Sequence, residues 1–204
     1  MAKKYMQLVL TPAVQQAQDK YFGKHQAVEG AEERDPLTPE EVAFIASRDS
    51  FYMATVSETG WPYVQHRGGP AGFVCVLSAS LLGFADFKGN RQLLSTGHLA
   101  VSDRVSLFLM DYPQRERLKI LGHARVLDAR EHPDLLAQLA PPELRAKVER
   151  LFLIEVVSCD WNCPQYITPR FTAEEVEKSV APLRARIAEL EAKLAAYDGR
   201  SAAS

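Results

Sequence analysis

Short runs of alternating apolar and polar residues dominate the middle of the chain. Phe51 to Val56 and Trp61 to Arg67 flank the turn Ser57-Glu58-Thr59-Gly60, which predicts a β-hairpin. Beyond Gly68-Gly69-Pro70-Ala71-Gly72, the segments Phe73 to Leu77 and Leu81 to Ala85 predict a second close pair of strands. Arg104 to Tyr112 and Arg117 to Leu127 predict a third, the first of them strongly apolar through Val105, Leu107, Phe108, Leu109 and Met110. Leu151 to Cys159 is apolar enough to add a closing strand. Six or seven short strands with tight turns give a mainly β chain with peripheral helices, arranged as a barrel or a sandwich.

Helical spacing appears at the two ends. Thr11-Pro12 opens a helix over Ala13 to His25, with Val14, Ala17 and Tyr21 on the face expected to pack on the next segment of the chain. Asp35 to Pro39 reads as a polar connector, and Thr38 as the N-cap of a helix reaching about Ser47. A short helix is predicted over Asn90 to Gly97, and two helical stretches over residues 131 to 150, parted by Pro141-Pro142. From Ala181 to Tyr197, Leu183, Ile187, Leu190, Leu194 and Tyr197 recur at spacings of four and three, the apolar seam of an amphipathic helix. Such a seam docks on a partner subunit or on its own barrel. The chain thus divides into N-terminal helices (1–48), a barrel (49–170) and a C-terminal helix (171–204), all in one structural domain.

Composition narrows the classes. A chain of 204 residues suits one domain with appended helices. The formal net charge of -2 argues against a general nucleic-acid binder, which needs a surplus of cations to neutralise phosphates. The apolar stretch after the first lysines is broken by Thr11-Pro12, which predicts no signal peptide, and no run reaches membrane-span length. A cytoplasmic location is the expectation. Cys75, Cys159 and Cys163 form an odd set that fits a reducing compartment, and no further Cys or His stands at ligand spacing to complete a zinc site, so no metal is expected.

Four segments carry candidate chemistry. In Tyr63 to Pro70, alternation sends Gln65 and Arg67 to one face of the strand, and Gly68-Gly69 would let a flat or anionic ligand approach the backbone beside the guanidinium. A glycine bulge with a surface arginine is the plainer reading of the same residues. In Phe84 to Gln92 a strand gives way to a helix, and Lys88 and Arg91 beside new helical amides suit a phosphate, although a solvated basic turn has the same look. Arg117 and Lys119 share a strand face and direct two cations into one space, unless that strand is a solvated edge. The stretch Cys159 to Arg170 places Trp161, Asn162 and Gln165 in a proline-flanked loop able to read the edge of a heteroaromatic ring, or merely to cap the barrel.

Asp49 to Thr55, Gly60 to Gly69, Gly83 to Gln92, Asp103 to Gly122 and Trp161 to Ile167, in this order and spacing, resemble the FMN-binding split-barrel family typified by pyridoxamine 5'-phosphate oxidase. The resemblance is strongest to its branch of related flavin-nucleotide-binding proteins. It implies an antiparallel split β-barrel and a homodimer holding two FMN molecules at the subunit interface. Carried over by position, Gln65, His66, Arg67 and Gly68 line the flavin, with Phe84 and Ala85 beside it. Lys88, Asn90 and Arg91 hold the phosphate, Arg117 is a polar flavin contact, and Asn162 and Gln165 come from the other chain. The arginines and histidine with which the oxidases grip substrate phosphate do not align onto residues 166 to 204. The resemblance therefore implies an FMN-dependent oxidoreductase without an assigned substrate, exchanging hydride with a small molecule or NAD(P)H. Arg117 and Lys119 are the candidates for stabilising reduced flavin, no acid or base is assigned, and His66 is read as a core histidine. The alternatives are a flavin-storing module without its own substrate, and a related barrel using a deazaflavin, or haem with His98 or His123 as axial ligand.

Overall fold

The computed structural model describes residues 3–30, 33–89 and 91–201, with side chains to residue 195. Three helices lead in: α1 (Lys3–Val9), α2 (Pro12–Phe22) and α3 (Pro39–Ala46). Seven strands come next, β1 (Ser50–Val56), β2 (Pro62–Gly68), β3 (Cys75–Ser78), β4 (Leu81–Phe87), β5 (Arg104–Asp111), β6 (Glu116–Asp128) and β7 (Val148–Trp161). Helix α4 (Leu94–Leu99) lies between β4 and β5, and α5 (Pro133–Leu139) between β6 and β7. Helix α6 (Ala173–Ser201) ends the described chain.

The strands form one antiparallel sheet in the order β2-β1-β5-β6-β7-β4-β3, a mainly β fold of the split-barrel type. Alternation builds its core: Phe51 and Met53 of β1, Leu107 and Leu109 of β5, Leu118 and Ile120 of β6, and Phe152 and Ile154 of β7 all face one buried cluster. β6 and β7 are long because they pair with each other beyond the stretches that pair with the shorter β5 and β4. At the Leu121/Gly122 irregularity between them, a Cβ on Gly122 would lie 2.6 Å from the Glu155 carbonyl oxygen, so only glycine fits. No backbone ladder joins β2 to β3 or β4 among the described residues; the sheet closes there through side chains. Phe51 meets Phe84 edge-on at 5.4 Å, and Phe84 stacks on Phe152 at 4.8 Å.

Polar contacts fasten the leading helices. The carboxylate of Asp35 accepts from the Lys4 and Tyr5 amides at 3.1 and 3.3 Å and from the Ser158 hydroxyl at 2.7 Å, tying the start of α1 to β7. The predicted cap of α3 is present as a Thr38/Glu41 capping box, and Glu41 also accepts from the Trp161 indole at 2.6 Å. Burial raises the Glu41 carboxyl, but the hydrogen bonds from Thr38 and Trp161 outweigh it and leave the group below the ordinary carboxylate value.

Several sequence expectations are corrected. Helix α2 buries no residue: Val14 and Tyr21 are exposed, so its face does not pack on the segment after it. The second helical stretch after Pro141-Pro142 shrinks to a single 3-10 turn, Arg145–Lys147, because β7 begins at Val148 to pair with β4 and β6. Helix α4 starts later than predicted, since Arg91 and Leu93 take left-handed backbone angles, φ 61° and 56°, that a helix cannot accommodate. β6 is central, not a solvated edge. Short α1 was not foreseen.

The chain separates into two compact units, one comprising residues 1–111 and 116–165, the other residues 112–115 and 166–204. In the second, Arg170 lies 4.8 Å over the Tyr112 ring. Thr172 and Glu175 cap α6 reciprocally, which starts the helix well before Ala181. Its predicted seam of Leu183, Ile187, Leu190 and Leu194 is exposed, and the Tyr197 side chain lies outside the described residues. No described helix is long and apolar enough to cross a membrane.

Candidate functional site

The site grows from the side-chain closure between β2 and β4. Pairing of β2 with β1 turns Tyr63, Gln65 and Arg67 toward the sheet's concave side and leaves Val64, His66 and Gly68 exposed, as alternation predicts. On β4, Phe84 and Asp86 lie on one face by the same rule. Arg67 Nη1 therefore meets Asp86 Oδ1 across the split, in a close ion pair. The other carboxylate oxygen of Asp86 accepts from Arg150 Nε at 2.9 Å, because Arg150 stands opposite Asp86 in the β4–β7 register. The Arg67 guanidinium also lies 4.8 Å over the ring of Phe152 and 5.8 Å over that of Phe84.

This cluster sets two guanidinium groups against one carboxylate, in side chains only 13%, 11% and 18% exposed for Arg67, Asp86 and Arg150. Buried ions need close partners to offset lost hydration; Asp86 is shared by both guanidinium groups, and Arg150 has a second carboxylate partner in half-buried Glu149, 3.2 Å from Nη1. Arg67 Nε is buried without a hydrogen-bond partner. An orphaned N–H on a buried guanidinium favours a charged acceptor.

Space for one lies alongside. A cavity of about 210 Å³ has Gln65, Arg67, Arg91, Ser95, Thr96 and Arg150 among its walls, so three arginines surround one void. The Ser95 hydroxyl donates to Gln65 Oε1 at 2.9 Å, and Thr55 Oγ1 lies 2.9 Å from His98 Nδ1, fixing α4 against β1 and β2. An adjoining cavity of about 170 Å³ shares Gln65, Arg67, Asp86 and Phe87 and adds His66, Gly68, Phe73 and Phe84. A third, apolar cavity of about 330 Å³ shares Phe73, Ala85 and Phe87 with the second and runs beneath α5 and the Pro141-Pro142 segment. The polar, cationic end thus grades into flat aromatic walls. A larger groove of about 1070 Å³ is lined by charges of both signs, including the His123 and Asp103 pair at 3.0 Å, and shares Thr96 and Arg150 with the cationic cavity.

The residues singled out in sequence fall into two groups. Gln65, His66, Arg67, Gly68, Phe84, Ala85 and Arg91 line the adjoining cavities. His66 is exposed and edge-on to Tyr52 at 5.5 Å, which corrects its reading as a core histidine. Phe84 is 1% exposed and belongs to the core. Gly69 does not leave an open approach, because a Cβ there would fall 2.7 Å from Cγ of Phe73, whose ring fills that space. Lys88 is exposed and is not a wall of these cavities; its amide donates to the Lys147 carbonyl. Asn90 lies outside the described residues.

The second group sits where β6 begins and β7 ends. Arg117 Nη2 donates to the Cys163 carbonyl at 2.9 Å, and the Asn162 amide to the Arg117 carbonyl at 3.1 Å. Gln165 is exposed on the turn after β7. Lys119 pairs with Asp160 at 2.9 Å and lies over the Tyr5 ring, so its charge is already matched and is not available to a ligand. Asp86 and Arg150, both central to the cluster, were not singled out in sequence. Burial, with the charges of Glu41, Asp35 and Asp160 after it, pushes the Cys159 thiol up to about 12, and Cys163 is exposed.

Comparison with solved structures finds distant likenesses. A protein related to general stress protein 26, of the pyridoxinephosphate oxidase family, from Clostridium acetobutylicum is 11% identical, with 67% of this chain and 94% of that one covered at a TM-score of 0.48. The haem-storage protein HutZ from Vibrio cholerae is 19% identical over 60% of this chain and 91% of that one, at 0.44. An F420 reductase is 15% identical over 60% of this chain and 98% of that one, at 0.42. No curated protein matches the sequence. The family model described as Pyridoxamine 5'-phosphate oxidase matches residues 37–154, well over half of the chain and all seven strands but the last half of β7, and the chain therefore belongs to the pyridoxamine 5'-phosphate oxidase family.

Proposed function

We propose that the chain is an FMN-dependent oxidoreductase that holds the cofactor in the split between β2 and β4, with its phosphate at the arginine-lined end. The observation that carries this reading is the gathering of Arg67, Arg91 and Arg150 around one cavity that adjoins aromatic walls. A phosphate dianion would add a counter-charge for Arg91 and for Arg67, which shares Asp86 with Arg150, and offer an acceptor to Arg67 Nε. Bound FMN supplies two-electron hydride chemistry.

The protein's own groups position and shield it. Gln65 and Ser95, held together by their hydrogen bond, offer neutral polar contacts beyond the phosphate end. Phe73, Phe84 and Phe87 form walls that exclude water from a flat ring. Arg117, Asn162 and Gln165 gather away from these cavities, and in this reading they complete the site of a second copy in a homodimer.

The absorption spectrum and flavin content of the purified protein test the proposal. FMN gives paired near-ultraviolet and blue bands, whereas an intense Soret band would replace the reading with haem. Arg91→Ala should remain folded and lose FMN on dialysis, its affinity falling about tenfold to a hundredfold for one charge-assisted contact. Retention of stoichiometric FMN by Arg91→Ala would refute the assigned phosphate end. Rapid bleaching under anaerobic NADPH marks a reductase, and yellow colour that persists under NADPH and is lost only with dithionite marks a storage protein.

A further inference from the structure

Arg150 lies on β7, outside the segments that carry the family resemblance around the flavin. We infer that Arg150 is a phosphate-binding residue of the site and sets its preference for a phosphorylated flavin over the unphosphorylated one. The inference rests on the FMN reading above. Arg150 lines the same cavity as Arg67 and Arg91, and its side chain is only 18% exposed. Asp86 accepts from Arg150 Nε and pairs with Arg67 Nη1, so one carboxylate orients both guanidinium groups through one nitrogen of each. The β4–β7 register fixes this arrangement, since Asp86 and Arg150 are cross-strand partners. Glu149 takes Arg150 Nη1 at 3.2 Å. Two of the three nitrogens of Arg150 are thus anchored by the chain itself, which preorganises the guanidinium that lines the cavity.

A residue serving only as the counter-ion of Asp86 would affect stability without regard to the ligand's phosphate. A phosphate ligand would instead distinguish FMN from riboflavin, which share the ring and ribityl chain. The test titrates flavin-free protein with FMN and with riboflavin by fluorescence quenching, for wild type, Arg150→Gln and Arg150→Lys, each checked for a cooperative thermal melt. Wild type should prefer FMN. In Arg150→Gln the FMN affinity should fall about tenfold to a hundredfold while riboflavin stays within about twofold, collapsing the preference. Arg150→Lys, which keeps the charge but not the fork, should show an intermediate preference. It carries the test alone if the glutamine variant does not fold. A wild-type FMN-to-riboflavin ratio retained in the folded variants overturns the role of Arg150 and leaves the FMN reading standing. A wild-type protein that binds neither flavin, or both equally, overturns the reading beneath it.

Discussion

Replacing Asp86 with alanine removes one carboxylate and strands the Arg67 guanidinium. Arg67 loses its ion-pair partner, and Arg150 keeps only Glu149 at 3.2 Å. Both side chains are more than four-fifths buried, so solvent screens the imbalance weakly. Breaking a buried pair from one side costs about 3 to 5 kcal/mol, because the remaining charge stays desolvated. Arg67→Ala is different, since Asp86 keeps Arg150. It loses a charge-assisted hydrogen bond worth about 1.5 to 3 kcal/mol and a cation–π contact worth about 0.5 to 2 kcal/mol. It also removes the orphaned Nε, which returns about 1 to 3 kcal/mol of desolvation. At the middle of each range the net loss is about 1.5 kcal/mol. Urea unfolding at pH 7 without flavin reads the difference: for a slope of about 2 kcal/mol per M, the midpoint should fall by roughly 2 M in Asp86→Ala and by under 1 M in Arg67→Ala. The double variant should be more stable than Asp86→Ala, because it no longer holds an unpaired Arg67. If Arg67→Ala is as damaging as Asp86→Ala, or the double variant is worse than both, charge compensation does not govern this cluster.

Other expectations arise from particular contacts. Gly122→Ala should destabilise by about 1 to 3 kcal/mol in thermal melts, as its Cβ meets the Glu155 carbonyl at 2.6 Å, whereas Gly97→Ala in α4 meets nothing within 4 Å and should stabilise by about 0.5 to 1 kcal/mol. Glu41 has a folded pKa below its ordinary value of 4.5, so its contribution is present above that pH and is lost as pH falls through the folded value. Glu41→Gln should therefore lower stability at pH 7 and flatten its loss between about pH 5 and pH 3, measured by urea unfolding across that range. Iodoacetamide at pH 8 should alkylate exposed Cys163 in the native protein and spare Cys159, whose thiol is buried and pushed up to about 12; mass spectrometry of the labelled peptides checks this.

The strands were legible in sequence because the hydrophobic pattern that places Phe51, Met53, Leu107 and Leu109 in the core is local and strictly alternating. Boundaries failed where pairing overrode local preference: β7 draws Val148 to Arg150 into the sheet because β4 and β6 offer partners there. In the site, the strand face of Gln65 and Arg67 could be read from alternation alone. Asp86 and Arg150 could not, since their importance arises only when residues 67, 86 and 150 meet across the split. One signal was available, an acid ending an apolar strand in Phe84-Ala85-Asp86, where a buried charge demands a partner. Gly69 misled for a related reason: its missing side chain makes room for Phe73, not for a ligand.

The way the sheet closes puts the proposed ligand-binding roles on residues that also hold the fold together. A hydrogen-bonded ladder between β2 and β4 would bring the two backbones to about 4.8 Å and leave no volume between them. Closure through Arg67, Asp86 and the aromatic column keeps the strands farther apart and opens the adjoining cavities that the site requires. That arrangement leaves the unliganded protein with an unpaired buried N–H on Arg67, which an anion would relieve. If the proposed site is occupied, ligand binding and folding stability are linked through one cluster: a ligand at 100 times its Kd would add about 2.7 kcal/mol by mass action alone. Variants of Asp86 and Arg67 must change both quantities, whereas Gly122→Ala, which acts at the bulge between β6 and β7, should lower stability while leaving the preference between phosphorylated and unphosphorylated flavin intact.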